Sequence, residues 1–363
     1  MAAERPLSVL LVCPESTGGI GRHVRMLAEG LLARGQRVTL CAPEPTVQRL
    51  ALRDLRAEVV AIPVGDIAAA PRLHRRLRRL AAAHDVVHAH GARVGAQLAV
   101  AGPVALVTTW HNAPLGPAPR RAAHRALELI SARRSALVLG ASADLVARAR
   151  SAGAAAARLC AVAAPPGHVE PPAARSTTLH TPPTVLAVGR LHAQKRFDVL
   201  IDATPAVAEQ ISGGLRVLIA GEGPLRDQLV RQARDLGAPV TFLGARSDVG
   251  ALMTQADVVA VPSDWEARPL VAQEALRAGV PLVATDVGGV RDLVGEAGVL
   301  VRPADPAALA AGLLRVLEDE DVRRGLRDAG PARAAEWPTV DQMVDTIVGE
   351  YLEVRSRSSL PRQ

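Results

Sequence analysis

Short apolar runs alternate with helical patterns along the first half of the chain. The first run, LSVLLVCP, has the length and composition of a buried parallel strand, and a glycine-rich turn separates it from RHVRMLAEGLLARG. Within the second segment, helical spacing relates Val24, Leu27, Ala28, Leu31 and Leu32. RVTLCAP, VVAIPV, DVVHAH and VALVTTWH follow as further strands, so the pattern predicts a doubly wound parallel sheet.

The alternation stops in a proline-rich stretch and then begins again. Residues 165–183, PPGHVEPPAARSTTLHTPP, cannot continue a helix or a central strand, because proline has no amide proton to donate. TVLAVGR, LRVLIAG, VTFLG, DVVAVP and PLVATD then predict a second parallel sheet. We therefore expect an α/β chain of two Rossmann-like domains facing across a cleft, with boundaries at 1–170, a linker over 171–183, and 184–335.

Basic side chains are concentrated in the first half. The net charge is +7, yet residues 1–170 carry 22 Arg and Lys against 11 Asp and Glu. The densest run, PRLHRRLRRL at 71–80, places three leucines on one helical stripe with five arginines around it. This pattern predicts a solvated helix face, with an anionic partner such as a phosphorylated acceptor or an acidic membrane surface as the alternative. Nucleic acid is not expected, because no aromatic side chains interleave with the arginines.

Neither a membrane span nor a secretion signal is expected. No apolar run approaches the roughly 20 residues that cross a bilayer, and the first apolar stretch is too short for a signal peptide. We expect a cytoplasmic protein, with peripheral contact at the inner face of the membrane through the basic half as the alternative. Cys13, Cys41 and Cys160 have no metal-ligand spacing and are expected to be reduced thiols.

Glycines and histidines follow the predicted strands of the first half, where parallel sheets bind their ligands. TGGIGRH, residues 17–23, opens the first helix, so Gly18 and Gly19 offer backbone amides to an anion or allow a sugar to approach closely. The G-x-G-x-x-G dinucleotide fingerprint is absent. His88, His90 and His111 stand at strand ends, but no acid or cysteine completes a zinc ligand set, so no metal is predicted.

Two cations follow the first predicted strand of the second half. Arg190 ends TVLAVGR, and Lys195 stands five residues later, just before a helix. Beside a glycine and a helix N-terminus they form a phosphate clamp, because a guanidinium donates bidentately and an ammonium acts as a point charge. AGEGPLR adds a glycine turn over 221–223 that suits close passage of a nucleoside. Diphosphate is the ligand that this chemistry favours.

Two glutamates bracket a helix start in PSDWEARPLVAQEA, residues 262–275. Pro269 marks the first helical position, so the free amides of Leu270 and Val271 point toward an anionic ligand. Glu274 lies among apolar neighbours, where an unpaired carboxylate is costly, and the hydroxyls of a ribose would satisfy it. Glu266 precedes the helix and can bind hexose hydroxyls. The stretch predicts a nucleotide-sugar site.

Six motifs occur together in the order and approximate spacing of a known family. VGRL with Lys195, AGEGP, VTFLG, ADVVAVPS, the E-x7-E pair and GVPLVATDVGG resemble the family 4 glycosyltransferases of GT-B fold, a retaining group with many bacterial members. The similarity runs from about residue 7 to residue 345. It implies transfer of a hexose from a UDP- or GDP-sugar to a hydroxyl acceptor, which we expect to be anionic, lipid-linked or a natural product.

The resemblance also implies roles for individual residues. Arg190 and Lys195 would bind the donor diphosphate and Glu274 the ribose, while Glu266 and His111 would lie at the transferred sugar. The expected catalytic set is therefore His111, Arg190, Lys195 and Glu266. The expected donor site comprises Gly18, Gly19, Arg190, Lys195, Gly221, Glu222, Arg246, Glu266, Arg268, Pro269, Leu270, Val271 and Glu274. The resemblance implies that no protein nucleophile is needed, because the leaving diphosphate helps to deprotonate the acceptor. It also implies a C-terminal segment over 336–363 that crosses back to the first domain.

The chain departs from the family pattern at two places near these motifs. Arg268 stands where many members have an aromatic residue, so an extra cation is expected beside the sugar, and Arg196 replaces a usual glycine after Lys195. Asp319 and Asp321 form a D-x-D within EDED, which we expect to be an acidic turn at a helix end rather than a metal site. We therefore predict metal-independent transfer without any cofactor.

Two other functions remain open from the sequence. One is a nucleotide-sugar isomerase of the 2-epimerase type, and the other is a non-catalytic member that binds a nucleotide sugar. The cation pair together with E-x7-E favours transfer over both.

Overall fold

The computed structural model describes residues 5–16, 18–65, 71–102, 105–160, 162–163 and 179–358. Residues 171–178 of the expected linker lie outside these ranges. The chain forms two compact units, which we call unit 1 (Met1–Pro165 with Pro338–Gln363) and unit 2 (Pro166–Trp337).

Within the described residues, unit 1 is built around a parallel sheet of seven strands. They are β1 (Ser8–Val12), β2 (Arg37–Ala42), β3 (Glu58–Ala61), β4 (Val86–His90), β5 (Leu106–Trp110), β6 (Leu137–Gly140) and β7 (Ala157–Leu159). Their spatial order is β3-β2-β1-β4-β5-β6-β7. The winding reverses between β1 and β4, and this switch point is where doubly wound sheets bind ligands.

Alternate positions of β1 point to opposite faces of the sheet. Val9 and Leu11 belong to one apolar core, and Leu10 and Val12 belong to the other. Because helices cover both faces, strands β4, β5 and β6 are buried at every position. Burial on both sides explains why these strands read as continuous apolar runs in the sequence.

The helices of unit 1 fill the connections between strands. They are α1 (Gly19–Ala33), α2 (Glu44–Arg49), α3 (Pro71–Ala82), α4 (Ala92–Ala101), α5 (Ala118–Arg134) and α6 (Ala143–Ser151), with a 3-10 turn over Leu52–Asp54. The basic segment forms α3: Leu77 is fully buried, Leu73 and Leu80 pack against the same core, and the five arginines are exposed. Among the described residues, no helix has the length and apolar character needed to cross a membrane.

Unit 2 repeats the same winding. Its described strands are β8 (Thr184–Val188), β9 (Arg216–Ala220), β10 (Val240–Gly244), β11 (Val258–Val261), β12 (Leu282–Thr285) and β13 (Val299–Val301), in the order β10-β9-β8-β11-β12-β13. A 3-10 turn over Ala193–Lys195 precedes helix α7 (Phe197–Gln210). The later helices are α8 (Arg226–Asp235), α9 (Val249–Thr254), α10 (Leu270–Arg277), α11 (Val290–Val294), α12 (Pro306–Glu318) and α13 (Glu320–Ala335). The winding reverses between β8 and β11.

The prediction of two doubly wound parallel sheets is confirmed. The apolar periodicity does not predict β6, β7 or β13, because β7 and β13 have three residues each and only residues 135 and 136 separate β6 from α5. The D-x-D of EDED is a helix cap, as expected. The Asp319 carboxylate accepts hydrogen bonds from the amides of Asp321 at 2.9 Å and Val322 at 3.0 Å at the start of α13.

The last helix, α14 (Val340–Ser358), packs in unit 1 against α1 and β4. Tyr351 is fully buried, and its hydroxyl lies 2.6 Å from Nδ1 of His88. At the rim, Arg158 pairs with Glu353 at 2.6 Å. Gly30 of α1 packs closely against α14: an added Cβ atom there would lie 2.5 Å from Cγ2 of Val344.

We expect Gly30→Ala and Gly349→Ala to change stability in opposite directions. Alanine normally stabilises a helix interior by about 0.5–1 kcal/mol relative to glycine, and a Cβ at Gly349 would meet nothing within 4 Å. At Gly30 the Cβ must displace the buried Val344, so we expect a net loss of about 1–3 kcal/mol. Thermal unfolding of the two variants beside the wild type measures this, and stabilisation by Gly30→Ala would contradict the packing of α14 on α1.

Candidate functional site

The candidate site of unit 2 lies at the switch point of its sheet. The loop after β8 carries Gly189, Arg190 and Lys195, and the loop after β11 carries Ser263 and Glu266. Because β8 and β11 are neighbours in the sheet, their carboxyl ends bring these two loops together. Lys195 and Glu266 are 71 positions apart in sequence and meet only because of this topology.

An ion pair joins the two loops. Nζ of Lys195 lies 2.5 Å from Oε1 of Glu266, and the Ser263 hydroxyl donates to the same oxygen at 2.7 Å. The side chains of Lys195 and Glu266 are 20% and 9% exposed, so both are largely withdrawn from water. A charge in such a place needs a partner, because removal of one ion leaves the other poorly solvated. The pair therefore holds an ammonium and a carboxylate at fixed positions without a net charge.

The backbone of Glu266 is fixed by a glycine turn after β12. The amide of Gly289 donates to the carbonyl oxygen of Glu266 at 2.9 Å. Gly288 has φ +53°, and a Cβ there would lie 2.1 Å from that oxygen, so no other residue fits without displacing the loop. The hydroxyl of Thr285 donates to the carbonyl of Ser263 at 2.6 Å. The GG of the DVGG motif thus acts on the site by positioning Glu266.

Lys195 is positioned by its neighbours in the 3-10 turn. The side-chain amide of Gln194 donates to the Trp265 carbonyl at 2.8 Å, and the Asp264 amide donates to the Gln194 carbonyl at 2.9 Å. Arg196 adopts φ +47° and pairs with Asp264 at 2.8 Å. A left-handed backbone favours glycine, so the expectation of a usual glycine here has a physical reason, and the ion pair holds the arginine of this chain in place.

Lys195 is the single lysine of the chain; the other 42 basic residues among the 43 Lys and Arg are arginines. All the remaining Lys or Arg positions thus carry arginine, and only position 195 carries an ammonium at the end of a flexible aliphatic side chain. The stem lies along Gly189, where a Cβ atom would come within 3.5 Å of Cε of Lys195. An ammonium is more compact than a guanidinium and acts as a point charge, which fits the narrow space beside the strand end.

The glycine turn after β9 closes against the loop after β8. A Cβ at Gly221 would lie 1.8 Å from the Gly189 carbonyl oxygen, and one at Gly223 would lie 2.4 Å from the Leu191 carbonyl oxygen. The amide of Leu191 donates to the carbonyl of Glu222 at 2.9 Å. In this structure these glycines therefore allow two loops of unit 2 to approach each other closely.

The remaining predicted donor residues of unit 2 take different positions. Arg190 is exposed, and within the described part of the chain it has no ion pair. Glu222 is exposed beside Arg226 at 3.9 Å, and Arg246 pairs with Asp248 at 2.7 Å. Glu274 is half-buried within α10. Their roles toward a ligand stay predictions.

The start of α10 differs from the sequence expectation, and Arg268 beside it makes a contact that was not expected. Pro269 is the N-cap residue rather than the first helical residue, so α10 begins at Leu270; the amides of Leu270 and Val271 still lie in its first turn. The guanidinium of Arg268 lies over the ring of Trp337, 5.7 Å from its centroid. This cation–π contact covers one face of the Arg268 guanidinium. The local sequence pattern does not indicate the contact.

In unit 1, four histidines gather at the switch point between β1 and β4. His23 lies in the second turn of α1, His88 and His90 lie on β4, and His111 follows β5. His23, His88 and His90 are fully buried, and His111 is 8% exposed. Gly18 directly precedes α1, and a Cβ there would meet nothing within 4 Å. Gly18 and Gly19, which are predicted donor-site residues, therefore lie at the same edge of the sheet as the predicted His111 and the other three histidines.

The histidines are hydrogen-bonded unequally. His88 contacts the Tyr351 hydroxyl through Nδ1 at 2.6 Å and the Thr109 hydroxyl through Nε2 at 2.7 Å. Nδ1 of His90 lies 3.2 Å from Nε2 of His111. Sequence reasoning missed His23 and Tyr351. The signal for His23 was a polar residue on the buried stripe of α1, adjacent to Val24 and four positions before Leu27.

Burial keeps these imidazoles neutral. It lowers the pKa of His23 to about 4 and of His88 to about 3, and it also lowers the pKa of His90 and His111 well below 6.5. A neutral imidazole has one nitrogen that donates and one that accepts, so each ring can present a lone pair at physiological pH.

Two family models match the chain. Residues 182–319 match the model described as Glycosyl transferases group 1, and residues 18–165 match the model described as Glycosyl transferase 4-like domain. The chain is 31% identical over 363 residues to the phosphatidyl-myo-inositol mannosyltransferase of Mycobacterium leprae, covering 92% of this chain and 94% of the relative.

Two further comparisons are more limited. The α-D-kanosaminyltransferase of Streptomyces kanamyceticus is 32% identical over 179 residues, which are 47% of this chain and 46% of that relative. Among solved structures, Anabaena HepE in complex with UDP aligns with a TM-score of 0.78 at 21% identity, covering 96% of this chain and all of that one. This last likeness shows the fold.

We expect acidification to destabilise unit 1 between pH 6.5 and about 5. His23 and His88 have folded pKa values far below 6.5, so in this range the unfolded chain binds more protons than the folded one. The stabilisation that comes from keeping these histidines neutral is fully present above pH 6.5. Below pH 6.5 the free energy of unfolding falls by up to about 1.4 kcal/mol per pH unit for each such histidine. Thermal midpoints across this range measure the slope.

Two variants test whether the pH dependence of the thermal midpoint comes from the buried histidines. His23→Asn removes one of the shifted groups and should flatten the slope, whereas substitution of the exposed His192 by Asn should leave the slope unchanged. A wild-type midpoint that does not change over this range would show that the histidines are not buried as neutral groups.

Proposed function

Because the chain belongs to the glycosyltransferases, in the group 1 and 4-like families that match its two halves, we propose that it transfers a hexose from a nucleoside-diphosphate sugar to a hydroxyl acceptor with retention of configuration. The observation that carries this proposal is the Lys195–Glu266 pair at the switch point of unit 2. It offers a cation to a phosphate and a carboxylate to sugar hydroxyls at adjacent positions.

The diphosphate is the group that leaves the sugar, and its negative charge grows as the glycosidic bond breaks. In our proposal Lys195 and the exposed Arg190 bind it, together with the free amides at the start of α10. Groups that are held in place before the reaction stabilise this charge without reorganisation. The contacts of Lys195 with Gly189 and of Gln194 with Trp265 supply such preorganisation.

The two glutamates are proposed to bind hydroxyls rather than to move protons. Glu266 is paired with Lys195 and accepts a hydrogen bond from Ser263, so its carboxylate is held in place as an acceptor. An ionised carboxylate accepts hydrogen bonds from sugar hydroxyls, and Glu274 is proposed to do so for the ribose. His111 of unit 1 is proposed to contact the transferred sugar. The departing diphosphate takes the proton of the acceptor, so the reaction needs neither a protein nucleophile nor a metal ion.

Donor and acceptor classes follow from the relatives and from the charge distribution. UDP and GDP are the proposed donor nucleotides; HepE is bound to UDP, and the M. leprae relative is a mannosyltransferase. That relative's name specifies a phosphatidyl-myo-inositol substrate, and the exposed arginines of α3 suit an anionic, lipid-linked acceptor. We therefore propose a cytoplasmic enzyme that contacts the inner face of the membrane peripherally.

A natural-product acceptor is the second candidate. The S. kanamyceticus relative, a kanosaminyltransferase, supports it over about half of the chain. Transfer to phosphatidyl-myo-inositol in anionic vesicles but not to soluble aminoglycosides would favour the lipid acceptor, and the reverse result would favour the natural product.

We expect Lys195→Ala to lower kcat for sugar transfer by about 100-fold or more, because one preorganised contact to the developing charge is lost. Release of UDP or GDP, and of glycosylated product, measures it. Arg234→Ala, which removes an exposed cation from the same unit, should retain wild-type rates.

A double variant separates a role in the reaction from a role in folding. Lys195→Ala leaves Glu266 without its cation, and Lys195→Ala/Glu266→Gln removes both charges, so the double variant should recover thermal stability but not activity. Recovery of activity together with stability would contradict the donor role of Lys195.

The stereochemistry and the metal requirement are tested on the wild type. We expect a product with the anomeric configuration of the donor, and transfer that persists after treatment with EDTA. An inverted product would contradict the retaining mechanism, and loss of activity on chelation would contradict metal independence. Epimerised nucleotide sugar without an acceptor would favour the isomerase, and binding of donor without any turnover would favour the non-catalytic alternative.

A further inference from the structure

Three histidines of unit 1 converge, and within the described residues the group that could share an ion consists of these histidines alone. His23, His90 and His111 each place a ring nitrogen within 4.8 Å of the other two. They come from α1, from the end of β4 and from the residue after β5, so the sheet and its first helix hold them together. The rings of His23 and His90 are 5.5 Å apart between centroids, and those of His23 and His111 are 5.3 Å apart.

Hydrogen bonding leaves part of this cluster unsatisfied. Both ring nitrogens of His23 and Nε2 of His90 are buried and have no hydrogen-bond partner among the described residues. A buried polar atom without a partner costs about 1–3 kcal/mol. The His23 ring contacts the rings of His90 and His111, and a ligand bound by all three residues would satisfy one of its two ring nitrogens.

The chemistry of the cluster selects one class of ligand. Neutral imidazoles are ligands of zinc and of the neighbouring divalent transition metals, and three protein ligands leave one position open. At a zinc–nitrogen distance of about 2.0–2.1 Å, two ligands of a tetrahedral ion lie roughly 3.4 Å apart. Nδ1 of His90 and Nε2 of His111 are 3.2 Å apart, and the three residues offer nitrogens within 4.8 Å of one another, so metal binding requires the His90 and His111 rings to turn toward a common ion and His23 to move closer.

We propose that His23, His90 and His111 form a binding site for one divalent transition-metal ion of the zinc class. When the ion binds, the hydrogen bond between His90 and His111 opens, and its proton moves to the other nitrogen of the same ring. No net proton is released. The 8% exposure of His111 leaves that side of the cluster nearest to water, which supplies the fourth ligand.

Occupancy of this site would inhibit the transferase. An ion bound to His111 fixes its ring within the cluster and withdraws it from the sugar, so the ion and the donor exclude one another; this consequence rests on the proposed function. The inference differs from metal-assisted catalysis, in which chelation would abolish transfer rather than restore it.

Cobalt titration of the chelator-stripped full chain, without a histidine tag, tests the site directly. We expect one Co²⁺ per chain, with the intense visible absorption of a tetrahedral ion and no thiolate charge-transfer band from the buried cysteines. His23→Gln and, separately, His111→Asn should each weaken binding by at least about tenfold. His192→Gln, a change of an exposed histidine in unit 2, should leave binding unchanged.

Each result bears on the proposal. Absence of tetrahedral Co²⁺ in the wild type, or unchanged affinity in folded His23→Gln and His111→Asn, would overturn it. The wild-type titration needs no variant, so a misfolded variant does not remove the test. Far-ultraviolet circular dichroism identifies such a variant.

The inhibitory consequence has its own measurement. With donor and acceptor supplied, we expect Zn²⁺ to lower wild-type transfer at least about tenfold and EDTA to restore it, and the ratio with and without Zn²⁺ to approach one in His23→Gln. Zinc that binds stoichiometrically without affecting transfer would overturn this consequence. If no donor supports transfer, the proposed function fails, whereas the cobalt titration still decides whether the site exists.

Discussion

The central strands of both sheets are buried on both faces, and this constraint decides where the chemistry of the protein can lie. Central strands such as β4 and β11 have no exposed position. A charged side chain within them would be desolvated, so charged residues are displaced to the loops that follow the strands. At the switch points, loops from adjacent strands separate on opposite faces of the sheet and leave room for a ligand. The histidine cluster of unit 1 and the ion pair of unit 2 both occupy these points.

The ion pair of unit 2 shows how a site can be charged and still be stable when empty. Lys195 and Glu266 neutralise one another, and Ser263 supplies a further hydrogen bond to the carboxylate. A bound diphosphate would offer Lys195 a second, more highly charged partner. The carboxylate would then be available to sugar hydroxyls, so one pair of side chains can serve the diphosphate and the sugar of the donor, and the pair carries no net charge when the donor is absent.

The parts of this structure that local patterns encode were predictable, and the parts that depend on distant contacts were not. TVLAVGR reads as a strand because Val185–Val188 form an unbroken apolar run, and Lys195 was recognised from its distance to the strand end. Its contact with Glu266 was not predicted, because the two residues are 71 positions apart. The contact of the Arg268 guanidinium with Trp337, a residue near the end of unit 2, was not predicted either, and the place of Arg268 beside a sugar stays a prediction.

The histidines illustrate the same limit in unit 1. His88, His90 and His111 were visible as strand-end residues, whereas His23 lies inside a helix that otherwise reads as amphipathic. Only the packing of α1 on the sheet brings His23 to the others. The hydrogen bond between Tyr351 and His88 joins residues 263 positions apart, so no pattern within a single element could indicate it. Topology, rather than propensity, assembles both clusters.

In the proposed mechanism the Lys195 ammonium binds the donor diphosphate, and this contact can be observed directly because the chain has a single lysine. Reductive methylation with ¹³C-formaldehyde labels the single lysine and the N-terminal amine and keeps their charges. The account predicts that UDP or GDP shifts the methyl resonance of Lys195 in a saturable manner, whereas the corresponding nucleoside does not. An unchanged Lys195 resonance in a protein that binds the nucleotide would contradict the claim.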